Sequence, residues 1–118
     1  MRTEVTIGLS VAVLLLANVC FAGGTIPDGK IAEITVNKNG NAYVWFNPPS
    51  TSTGYPTCVT AGWQRAAMTF TVTTDVGRTI YSALMAAFVS QKNVTATGTG
   101  YCTIITYIED LDHFTIER

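Results

Sequence analysis

Thr79-Ile80-Tyr81-Ser82-Ala83-Leu84-Met85-Ala86-Ala87-Phe88-Val89-Ser90-Gln91 is the stretch of this 118-residue chain on which the fold turns. Its apolar residues recur with the period of an α-helix: Ile80, Leu84 and Phe88 form one stripe, and Ala83 and Ala87 widen it. Thr74 or Asp75 can accept the first free amide hydrogens of such a helix, and Lys92 stands where a cation suits its dipole. Tyr81, Met85 and Val89 form a second apolar line beside the first. That breadth exceeds what one half-buried face needs, so the second line is a candidate helix interface with another subunit, local core being the alternative.

On both sides of this segment the apolar period falls to two. Residues 31–36 place Ala32, Ile34 and Val36 on one face and Glu33 and Thr35 on the other. Asn39-Gly40 then signals a tight hairpin. Residues 42–46 alternate Ala42, Val44 and Phe46 against Tyr43 and Trp45, until Pro48-Pro49 ends the strand. After a polar loop, residues 66–73 set Met68, Phe70 and Val72 inward and Thr69, Thr71 and Thr73 outward. Beyond the helix, residues 93–97 alternate again, and Gly98-Thr99-Gly100 breaks them. A run rich in β-branched residues from 101 to 108 predicts a further strand. Glu109-Asp110-Leu111-Asp112 reads as a solvated acidic turn, and Phe114 and Ile116 fit a last strand. Residues 23–29 read as an irregular arm.

The order is therefore three strands, a helix, then two or three strands: mainly β with one helix. It predicts a five-stranded OB-like barrel with the helix between strands 3 and 4, where it stops the open end. A generic α+β sheet with one helix laid across it is the alternative.

Met1 and Arg2, an apolar stretch from 5 to 17, and Phe21-Ala22 ahead of Gly23-Gly24 follow the pattern of a signal peptide. The expected division is a leader over 1–22 and one domain over 23–118, in a secreted or periplasmic setting with no stable membrane insertion after cleavage. The apolar stretch is shorter than the roughly 20 residues a spanning helix needs. Cleavage would leave Cys58 and Cys102, and an exporting compartment allows them to bond. That bond would close a loop of about 45 residues, for which chain entropy gives on the order of 4 kcal/mol.

The chain carries seven Lys plus Arg against eight Asp plus Glu, with no basic cluster, which argues against a nucleic-acid partner. Catalytic groups are sparse. His113 is the single histidine; with Asp110 and Asp112 it makes a weak cluster, and no metal site, cofactor or catalytic residue is expected. Gly98-Thr99-Gly100 lacks the Lys-Ser/Thr ending of a phosphate loop.

Aromatic residues carry more signal. Tyr43, Trp45, Tyr55, Trp63 and Tyr101, with Arg65 two residues from Trp63, form the candidate ligand or interface surface. Rings of this kind among Thr, Ser and Asn suit sugar stacking; burial of Tyr43 and Trp45 under the long loop or in a subunit contact is the plainer reading.

Several short pieces carry a family resemblance: Gly29-Lys30-Ile31, then Gly77-Arg78-Thr79-Ile80-Tyr81 leading into Leu84-Met85-Ala86-Ala87, then Val94-Thr95-Ala96-Thr97-Gly98-Thr99-Gly100-Tyr101-Cys102, then Glu109 and Phe114-Thr115-Ile116. With them the layout resembles the OB-fold B subunits of AB5 toxins, of the pertussis-like and subtilase-cytotoxin kind. The resemblance implies a homo-oligomer, a pentamer in that family, which binds glycans and docks a second, enzymatic subunit. It transfers no sugar-binding residue to this chain. The expected function is thus a non-catalytic, glycan-binding subunit of a homo-oligomer. The alternative is an exported structural or protein-interaction module, such as an inhibitor.

Overall fold

The computed structural model describes residues 23–48, 52–60, 62, 63 and 66–118. The expected leader over 1–22 and Arg65 lie outside them.

Among the described residues, five strands and one helix follow in the order β1 (Thr25–Val36), β2 (Asn41–Asn47), β3 (Ala67–Thr71), α1 (Asp75–Ser90), β4 (Val94–Gly98) and β5 (Leu111–Ile116). The strands form one antiparallel sheet ordered β3-β2-β1-β4-β5. β1 is the shared strand. Its second half pairs with β2 and its first half with β4, with register shifts between Ile31 and Glu33 and between Ile26 and Gly29. Extra residues at such bulges bend a strand and increase its twist. The irregularity between Ile26 and Gly29 accommodates Pro27 and Asp28, so residues 25–29 are strand rather than the irregular arm their composition predicts.

The hairpin between β1 and β2 is built by Asn37. Its side-chain oxygen accepts from the backbone N–H of Asn39 (2.9 Å) and Asn41 (3.1 Å), and Gly40 takes φ 82°, where a side chain would be strained. On its other edge β2 sets Ala42 and Val44 opposite Phe70 and Met68 of β3. These four join Ile26, Ile31, Phe46, Val94 and Ala96 in the core.

The helix covers that core. Leu84 and Ala87 are buried, and Ile80, Tyr81 and Phe88 pack against the same cluster. Thr74 is the N-cap, its hydroxyl accepting from Gly77 N at 3.0 Å, and Gln91 closes the other end in the left-handed conformation. Gly77 has no substitute here: a Cβ would fall 1.6 Å from the carbonyl oxygen of Thr71. The second apolar line of the helix divides. Tyr81 belongs to the core, Met85 is half-buried, and Val89 is 77% exposed.

The expected closed barrel is not formed, and the OB-like assignment is corrected accordingly. β3 and β5, the two ends of the strand order, share no ladder. The chain beside them meets at one isolated parallel bridge, Thr69 with Asp110, where Thr69 N donates to the carbonyl of Glu109 (2.8 Å). Closure needs extended chain along both edges. β3 is only five residues long, and residues 99–110 are an irregular loop despite their β-branched content. The architecture is an open, bent antiparallel sheet with one helix across it.

Candidate functional site

Strand alternation sends Tyr43 and Trp45 to the face of β2 opposite the core, beside Thr69 and Ala67 of β3. That face is not left to solvent. Two loop segments, 52–60 with 62 and 63, and 99–110, lie over it. Trp63 sets its ring edge-on against Tyr43 and against Trp45, with centroids 5.2 Å apart in each case, and lies 5.5 Å from Tyr107. Edge-to-face contacts of this kind are favourable beyond the area they bury. Around them Val59, Ala67, Thr69 and Ile108 are buried, so the sheet has a small second core on its outer side.

The loops are tied together in two ways. Cys58 and Cys102 are bonded, and Thr60 N donates to the Tyr107 carbonyl (3.3 Å). The 99–110 loop is also organised from within by two adjacent buried carboxylates, which corrects the reading of 109–112 as a solvated acidic turn. Glu109 accepts from Gly24 N (2.9 Å to Oε2, 3.2 Å to Oε1) and from Gly100 N (2.8 Å). Asp110 accepts from the backbone of Thr103 (3.0 Å) and Ile104 (3.2 Å), from the Thr103 hydroxyl, and from the Thr69 hydroxyl (3.1 Å). One carboxylate therefore fixes the loop to the start of β1, and the other fixes its tip to β3. Thr69 is correspondingly buried rather than outward in solvent. Burial pushes the Glu109 carboxyl above the usual range; the two backbone donors pull it back, and the charge of Asp110 adds to the rise.

The candidate surface residues thus separate. Tyr43, Trp45 and Trp63 come together and are half-buried in the second core. Tyr55 and Trp63 line one recess, and Tyr55 is partly open to solvent. Tyr101 is 62% exposed on the other loop. Tyr107, which the strand reading of 101–108 gave no reason to single out, is exposed and touches Trp63. Neither 52–63 nor 99–108 contains a charged residue. His113 pairs with its neighbour Asp112 (Nδ1 to Oδ2, 2.7 Å) at the solvent-exposed start of β5. Among the described residues no three His, Cys, Asp or Glu side chains converge as a metal site would require. None of the described helices is long and apolar enough to cross a membrane.

No protein-family model, curated protein or solved structure matches the chain. Together with the open sheet, that result overturns the resemblance to toxin B subunits and the glycan-binding, carbohydrate-ring function drawn from it. The short pieces that carried the resemblance have local causes here. Gly77 lies against β3, and Gly98 makes room for Glu109, where a Cβ would fall 2.2 Å from the carboxyl carbon.

Proposed function

We propose that the chain is an exported protein-interaction module whose contact surface is the pair of bridged loop segments, 52–60 and 99–108. One observation carries the reading: three solvent-exposed tyrosines, Tyr55, Tyr101 and Tyr107, stand on uncharged loops braced by a disulfide, by Trp63 and by buried carboxylates. Tyrosine offers large amphipathic contact area at little entropic cost, and small hydroxyl residues around it supply adaptable hydrogen bonds. Rigid loops also have less freedom to lose on association. A neutral surface of this kind suits a protein partner with an uncharged, hydrogen-bonding face, an enzyme under inhibition among them.

Affinity capture followed by binding measurements on alanine variants tests the reading. Tyr101→Ala and Tyr107→Ala should each weaken a captured partner about 30-fold, the equivalent of a 2 kcal/mol hot spot, with far-UV circular dichroism unchanged. Binding should vary little between low and high salt, since no charged pair lies in the contact. A partner whose affinity ignores both tyrosines, or falls steeply with salt, would overturn the assignment.

A further inference from the structure

The described residues treat the two edges of the sheet differently. β3 is met by the 109–110 segment through Thr69. Among the described residues, β5 ends the strand order and pairs only with β4. The backbone polarity of β5 follows from one bond. Glu117 N donates to the Asn93 carbonyl of the neighbouring chain segment (2.8 Å), so residue 117 faces β4. Antiparallel alternation then turns His113 and Thr115 toward β4 as well, and directs the N–H and C=O of Phe114 and Ile116 away from the sheet. The strand carries neither Pro nor Lys, two of the usual protections of a free edge.

We propose that this edge pairs with the same edge of a second copy of the chain, antiparallel and centred on Thr115. Backbone direction permits only registers that place Phe114 and Ile116 in bonded pairs, and the charges choose among these. With Thr115 opposite Thr115 of the partner, Phe114 bonds to the partner's Ile116 and Ile116 to the partner's Phe114. The same register sets Asp112 opposite the partner's Arg118 and His113 opposite the partner's Glu117. Moving the centre one residue to Phe114 removes both pairings. Ile116 is 39% exposed in one copy, and Phe114 already packs on the core, so the cross-strand pairs would extend both cores across the axis.

Glu117, opposite the partner's His113 in this register, stands beside a second carboxyl group. The Asp28 carboxyl shares a hydrogen bond with it and pushes it above the usual carboxylate range, while the Thr95 hydroxyl, donating at 3.1 Å, offsets part of the rise. The imidazole of the partner's His113 would bring a hydrogen-bond donor beside that crowded pair. A two-fold contact closes on itself and stops at two copies. Its ladder is short, so the dimer should form with concentration rather than be obligate. This inference does not depend on the loop surface being a partner site.

Sedimentation of the wild type from micromolar to millimolar concentration should show the mass rising from one chain to two, with no larger species. Ile116→Pro should leave a monomer at every concentration. Its lost N–H points outward, so β4 keeps its bonds, and unchanged near-UV circular dichroism reports the intact fold. Arg118→Asp should weaken the dimer at least tenfold, and adding Asp112→Arg should restore it. A wild type that stays monomeric throughout, a larger closed ring, or a dimer indifferent to both Ile116→Pro and the charge reversal would overturn the proposal.

Discussion

Gly98 leaves a space that Glu109 fills, and the arrangement of the outer loops depends on that exchange. An alanine at 98 would put its Cβ inside the Glu109 carboxyl group. Gly98→Ala should therefore cost about 2 kcal/mol by overpacking, read as a fall in the urea midpoint. Glu109 also makes stability depend on pH. Its folded-state pKa lies above the unfolded value, so the folded chain holds this proton more tightly. The contribution is full below the unfolded pKa of about 4.3, and it is lost as pH rises through the folded value. Glu109→Gln keeps an acceptor for the Gly24 and Gly100 amides and removes the titration. Wild-type stability should thus fall relative to Glu109→Gln as pH is raised from the unfolded pKa toward neutrality, in melts across that range; a difference that grows in the opposite sense would contradict the assignment. Neither role was legible in the sequence, because an acidic run beside turn residues has the composition of a solvated loop. The surviving signal was the glycines at 23, 24, 98 and 100, spaced far apart in the chain yet clustered around one carboxylate.

Elements whose two faces differ sharply were legible, and those held by distant partners were not. β2 could be read residue by residue, since Ala42, Val44 and Phe46 are fully buried and Tyr43 and Trp45 alternate with them. The helix is legible from Leu84 and its neighbours, and its start from Thr74 and Asp75. Thr74 caps it a turn earlier than the apolar stripe begins. Thr74→Ala should cost about 1 kcal/mol for the lost cap, and Gly77→Ala should cost more, because backbone of β3 occupies the site of the new methyl group; chemical denaturation of the pair checks that order. Residues 101–108 show the limit of propensity. Ile104, Ile105 and Ile108 favour a strand locally, yet Asp110 takes the amides of Thr103 and Ile104 and bends the segment back, with Ile105 bridged to Ile108. The first half of β1 failed in the other direction, because a bulge admits the Pro27 and Asp28 that composition reads as a break.

At the scale of the molecule, local pattern supplied the strand and helix order but not whether the sheet closes. Closure depends on a ladder between β3 and β5, and no alternation within either strand encodes it. The open sheet leaves its outer side to be covered by loops, and the disulfide joins those loops across 44 residues of sequence. Replacing Cys58 and Cys102 by serine should cost on the order of 2–4 kcal/mol, seen in the denaturation midpoint. It should also shift Trp63 emission to the red as the 52–63 loop loosens from Tyr43 and Trp45. The central claim, that these braced loops are where a protein partner sits, is tested most directly by amide hydrogen exchange of the chain with and without that partner. Added protection should fall on 52–60 and 99–108 and leave α1 unchanged. Protection confined to the helix, with the loops exchanging as in the free chain, would contradict it.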